Sequence, residues 1–146
     1  MTHQFEKLKI EDSKQYHEVL FHLCKSILRM DPKITFVAVL NEKGRIEEIQ
    51  TTGSILDSFP SHKREAFFME YSLLDHMRKE YDEDFGQVGY TCDQRERRVL
   101  FSFPMMNFLV VTGCKIGVTP TLLAGKIMGL IKDSCVTLKS TVELNN

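Results

Sequence analysis

The chain lacks a charge excess of either sign. Its 19 basic residues stand against 20 acidic ones, so nothing supplies the basic surplus with which a nucleic-acid-binding domain offsets phosphate charge. No apolar run approaches the roughly 18 residues of a membrane-spanning helix, and no membrane insertion is expected. The first residues, Met-Thr-His-Gln-Phe-Glu-Lys, hold no apolar signal core, which makes a cytoplasmic setting the expectation. Metal-clip spacing is missing too. Cys24, Cys92, Cys114 and Cys135 are scattered one per expected element, and no histidine pair completes a zinc site. They read as reduced, partly buried thiols. There is no Gly-x-Ser-x-Gly elbow, no Cys–His neighbour with a local signature and no close carboxylate pair on one strand. No catalytic residue, metal or cofactor is therefore expected, and the chain reads as a non-enzyme.

What is present is an ordered series of patterned segments within one domain, without repeats or low-complexity blocks. At 146 residues the chain is long enough to bury a core without staples. Residues 1–11 read as a mixed arm. Asp12 or Ser13 can cap a helix whose apolar positions Tyr16, Val19, Leu20, Leu23, Ile27 and Met30 share one stripe, and Asp31-Pro32 ends it. The run Ile34-Thr-Phe-Val-Ala-Val-Leu40 is apolar on both faces of the pleat, which predicts a central strand. Past a turn of Asn41-Glu-Lys-Gly44, the stretch from Arg45 to about Thr51 carries Glu47, Glu48 and Gln50 and belongs at a sheet edge. Pro60 opens a second helix running to about Tyr81. Val88, Tyr90 and Cys92 alternate as a strand, and Asp93 to Glu96 make a turn. Val99–Phe103 is the next strand, closed by Pro104. Phe108–Thr112 is again apolar on both faces and central. Thr119-Pro120 then caps a last helix with the stripe Leu123, Ala124, Ile127, Leu130 and Ile131. The tail, residues 136–146, alternates at Val136, Leu138, Val142 and Leu144. It either adds a strand or frays.

This α-ββ-α-βββ-α order, carried by Ile34–Ile46, the helix around Phe67–Tyr81 and the stretch Tyr90–Val111 running into Thr119–Ile131, resembles the roadblock/dynein light chain proteins within the wider profilin-like architectures. It covers residues 12–135. The text MEYSLLDHMRKEYDEDFG from Met69 to Gly86 is also similar to an uncharacterised group of small archaeal proteins of that fold. The resemblance implies an α+β sandwich: a five-stranded antiparallel sheet in the order 2-1-5-4-3, with the first and last helices on one face and the middle helix on the other. It implies homodimers in which middle helices face each other and third strands join the sheets. It also implies scaffold or regulatory roles with protein partners such as a small GTPase. A ligand sensor of PAS-like or longin-like type is the alternative within the same architecture.

Four constellations invite a functional reading. On the second helix, Ala66, Leu73, Leu74, Met77 and Tyr81 form an apolar stripe with Glu70 at its centre. If that stripe is buried, Glu70 needs a partner: backbone groups or a basic side chain across the sheet, or else a ligand in a pocket between helix and sheet. If the helical phase differs, Glu70 is simply exposed. Opposite that stripe stand Phe68 and, at its margin, Tyr71, beside Ser72, Asp75 and Lys79, and with Tyr90 they are the candidate dimer or partner contacts. Arg95, Arg97 and Arg98 cluster at a hairpin, diluted by Asp93 and Glu96, where they either meet an anionic partner or are solvated turn charges. Finally, Lys115 and Thr119 flank the entry to the last helix, a weak candidate for an anion, since the Gly-Lys-Ser/Thr ending of a phosphate loop is absent.

Overall fold

The computed structural model describes residues 2–53 and 59–144, with side chains described within 14–53 and 59–140. Its elements in chain order are α1 (Thr2–Met30), β1 (Ile34–Leu40), β2 (Ile46–Thr51), α2 (Ser61–Arg78), a 3-10 turn (Lys79–Tyr81), α3 (Asp82–Phe85), β3 (Thr91–Gln94), β4 (Arg98–Met105), β5 (Phe108–Lys115) and α4 (Pro120–Leu144). The five strands form one antiparallel sheet in the order β2-β1-β5-β4-β3, as the resemblance implied.

Burial follows the sequence pattern. All seven residues of β1 are buried, and its neighbour β5 is buried from Leu109 to Cys114. Both strands need cover above and below, and each face of the sheet supplies it. On one face, Val37, Val39, Phe101, Phe103 and Val110 pack with Leu20, Leu23 and Ile27 of α1 and Leu123, Ala124 and Ile127 of α4. On the other face, Phe36, Ala38, Leu40, Leu100, Leu109 and Val111 pack against Phe68 and Tyr71 of α2. The period-2 alternation of the strands sends successive side chains into these two cores.

Local chemistry sets the corners. Asp31 ends α1 by accepting the backbone N–H of Lys33 through Oδ1 at 2.8 Å. Between β1 and β2, Asn41 Oδ1 accepts the N–H groups of Lys43 at 2.9 Å and Arg45 at 3.1 Å, and Gly44 takes the left-handed φ of 77°. A side chain at Gly44 would also crowd Met69 Cα and Ser72 Cβ at 3.2 Å, so the turn is tucked beneath α2.

Three expectations at the element ends need correction. Residues 2–11 are not an arm: α1 begins at Thr2, well before the cap expected at Asp12 or Ser13. The tail is neither strand nor fray up to Leu144, because α4 continues to that residue, with Leu138 fully buried about two turns beyond Ile131. The alternation at Val136 and Leu138 was therefore a fragment of a helical pattern. Third, β4 runs through Pro104 to Met105, and β3 starts later than expected and includes Asp93 and Gln94. The turn between them is shorter, closed by the Arg95 N–H donating to the Arg98 carbonyl at 2.9 Å.

Candidate functional site

The helix α2 is inverted about its axis relative to the sequence expectation. Phe68 and Tyr71 are only 1% and 8% exposed, and Ser72 is buried beside them. The apolar stripe faces away from the sheet: Leu73 and Met77 are 61% and 59% exposed, and Met69 beside them is 56% exposed. Leu74 and Tyr81 share that outward side, and Phe85 follows in α3, strongly exposed. The large aromatics won the sheet. Phe68 meets Phe36 edge-on with ring centroids 6.1 Å apart, and Phe67 contacts Tyr71 at 5.1 Å, packing that the mainly aliphatic stripe cannot match.

Each candidate residue can now be placed. Glu70 is exposed among the outward residues, so the buried carboxylate that would have anchored a ligand does not exist. Phe68, Tyr71 and Ser72, expected on the free face, belong to the inner core. Tyr71 donates its hydroxyl to Asp93 Oδ2 at 2.6 Å, which ties α2 to the edge strand β3. Burial pushes its pKa above the ordinary 10.0, the bond to Asp93 adds to the rise, and Arg95 and Arg78 oppose it. Asp75 is half-buried and lies 3.8 Å from Lys79 Nζ. Tyr90 is half-buried and leans on the core of the α1 and α4 side, its ring 6.1 Å from that of Phe103. Lys115 and Thr119 are exposed. Beside Thr119, the ammonium of Lys33 donates to the Gly117 carbonyl at 2.9 Å. Arg95 and Arg97 stand at the β3–β4 turn and Arg98 opens β4.

Five outward residues of α2 and the 3-10 turn after it, Met69, Leu73, Leu74, Met77 and Tyr81, form the exposed apolar face. They recur at spacings of three to four residues, so they share one side of the helix. Single exposed apolar residues are ordinary, but a contiguous row of this kind marks a contact surface. The helix is therefore apolar on two opposed faces, a mainly aromatic one against the sheet and a mainly aliphatic one turned outward. At the same edge of the domain lies β3, four residues long, with one side paired to β4 and the other without a strand partner among the described residues. Among the described residues no three His, Cys, Asp or Glu side chains converge on a metal-binding arrangement, and no helix is long and apolar enough to cross a membrane.

No protein-family model matches the chain, and no curated protein matches it in sequence. Solved structures do match in shape. MglB of Myxococcus xanthus superposes with a TM-score of 0.66 at 9% identity, over 82% of this chain and 94% of that one. A structure of MglB with a tetrameric arrangement gives 0.65 at 11% identity, over 87% and 92% of the two chains. A Roadblock/LC7 domain from Streptomyces avermitilis gives 0.60 at 13% identity, over 76% and 90%. Identities this low speak for architecture and leave activity open. The strand order, the helix placement and these three superpositions agree on one conclusion: the chain has a roadblock-like fold.

Proposed function

We propose that the chain is a non-enzymatic, cytoplasmic regulatory or scaffold module that works as a homodimer. The outer face of α2 meets the same face of a second copy, and the remaining surface engages a protein partner such as a small GTPase. The observation that carries this reading is the exposed row Met69–Leu73–Met77 on a helix whose other side is already packed. A two-fold interface is self-complementary, and an apolar row along one helix supplies matching surface to its own copy. Stable interfaces bury about 800 Å² per partner around a desolvated apolar centre, which a long helix and the adjoining edge of β3 are suited to provide. The superposition on an MglB described as tetrameric favours self-association over a monomeric sensor. The sensor reading rested on a buried Glu70, and with Glu70 exposed that support is gone.

Sedimentation equilibrium at micromolar concentration tests the reading. The unaltered protein is expected at twice its chain mass of 16.9 kDa, and Leu73→Asp is expected at the monomer mass with unchanged circular dichroism. An unaltered chain that stays monomeric across that range removes the proposal.

A further inference from the structure

A cleft of about 760 Å³ opens on the sheet face beneath the start of α2, away from the outer row discussed above and independent of any self-association. Its floor and inner wall are Phe36 of β1, Leu100 of β4, Phe59 just before α2 and Phe67 within it. The rings of Phe59 and Phe67 stack with centroids 5.9 Å apart and planes 21° from parallel, and Phe67 meets Phe36 edge-on at 6.5 Å. The opposite wall is the β3–β4 hairpin, which contributes Arg95, Arg97 and Arg98 against a single acid, Glu96. The volume falls within the roughly 300–1,000 Å³ of small-molecule sites.

The charge on this wall is unbalanced. Among the described residues no carboxylate lies within ion-pair distance of Arg95, Arg97 or Arg98, and Glu96 is the one acid that lines the cleft with them. Arg98 donates from Nη1 to the Arg97 carbonyl at 2.7 Å, while its Nε is shut off from solvent with no acceptor among the described residues. Arg98 also stands directly opposite Lys115 in the β4–β5 register. Partners in register share a face of the sheet, and like charges placed so repel. Arg95, Arg97 and Arg98 thus set three guanidiniums beside an aromatic floor, and an anion held in the cleft would meet that charge.

We propose that this cleft binds a small aryl oxyanion: a planar aromatic body lying on the half-exposed Phe59 and Phe67 above Phe36, with a phosphate or carboxylate held by Arg95, Arg97 and Arg98. The phenyl faces supply stacking area, and the guanidinium forks match an oxyanion through charge-assisted hydrogen bonds. Inorganic phosphate alone would meet the arginines but leave the floor wet. An uncharged aromatic would cover the floor and leave the arginines unpaired.

Titration with 1-naphthyl phosphate, followed by calorimetry and by amide shifts in the full chain, tests the assignment. The probe is expected to bind at least about tenfold more tightly than inorganic phosphate or 1-naphthol, with shifts centred on residues 94–100 and on Phe36, Phe59 and Phe67. Arg98→Gln is expected to weaken it roughly tenfold or more, and Glu96→Gln to tighten it a few-fold by removing the one acid that lines the cleft. Shifts confined to another surface, or equal affinity in R98Q, would overturn the assignment. So would an aspartate-rich decapeptide that occupies the same residues while 1-naphthyl phosphate binds no better than phosphate, which would make the cleft a protein-docking groove.

Discussion

Phe36 of β1 lies directly over Gly113 of β5, its partner in the antiparallel register: a Cβ placed on Gly113 would sit 2.1 Å from Phe36 Cε1. The glycine is there because the ring occupies the volume of its missing side chain. The ring in turn forms the floor of the arginine-rimmed cleft and the seat of Phe67 and Phe68. Gly113→Ala must push that ring off its position in a core already filled on the α2 side. Overpacking of this kind costs about 1–3 kcal/mol, and urea denaturation is expected to show a loss in that range. The same variant is expected to bind 1-naphthyl phosphate more weakly, since the displaced ring intrudes on the cleft.

How much of this was legible beforehand depends on where the information sits in the chain. The central placement of β1 and β5 was legible, because a strand apolar on both faces has only one kind of location in such a sheet. The rotation of α2 was not. A helical wheel registers that Met69, Leu73 and Met77 share a face, but periodicity cannot distinguish a face covered by the chain's own sheet from one covered by a second molecule. The arginines of the hairpin were visible as a cluster. Their meaning was not, since Phe36, Phe59 and Phe67 come to them from distant segments. Leu138 illustrates a third cause: two apolar residues in alternation fit a strand and a helix equally, and only the length of α4 decides.

The cysteines separate by depth, and that separation is measurable. Cys24 of α1 and Cys114 of β5 are both fully buried, and Cys92 on the edge strand is exposed. Burial, with a smaller push from Glu48, drives the Cys24 thiol from the ordinary 9.0 up to about 12. Cys114 rises to about 12 by burial, with smaller pushes from Asp31 and Cys92. In the unfolded chain these thiols lose their protons near pH 9, while in the folded chain they keep them to about 12. Over that interval the unfolded state binds fewer protons, so stability falls as pH rises, and below it the contribution is fully present. Each thiol adds a slope of up to about 1.4 kcal/mol per pH unit. Urea midpoints at pH 8.5, 9.5 and 10.5 are expected to decline steadily, and less steeply in Cys24→Ala. At neutral pH a disulfide reagent is expected to modify Cys92 at once, and Cys24 and Cys114 only on unfolding.

Two buried threonines make opposite predictions from the same chemistry. Thr35 of β1 donates its hydroxyl to the Gly113 carbonyl at 3.0 Å, so its polar group is satisfied where it lies. Thr112 of β5 is fully buried, and its Oγ1 has no partner among the described residues. It sits between its register partners Val37 and Phe101 on the α1 and α4 side. Replacing a bonded hydroxyl with a methyl group removes a hydrogen bond and leaves the Gly113 carbonyl short of a donor. Thr35→Val is therefore expected to cost about 0.5–1.5 kcal/mol. Replacing an orphaned hydroxyl removes a desolvation penalty of about 1–3 kcal/mol and keeps the shape of the side chain. Thr112→Val is therefore expected to raise stability, by an amount at the lower end of that range. Paired urea unfolding curves decide the matter by sign alone: if T112V destabilises as T35V does, the Thr112 hydroxyl has an acceptor after all, and the core between α1, α4 and the sheet is not as dry as its packing implies.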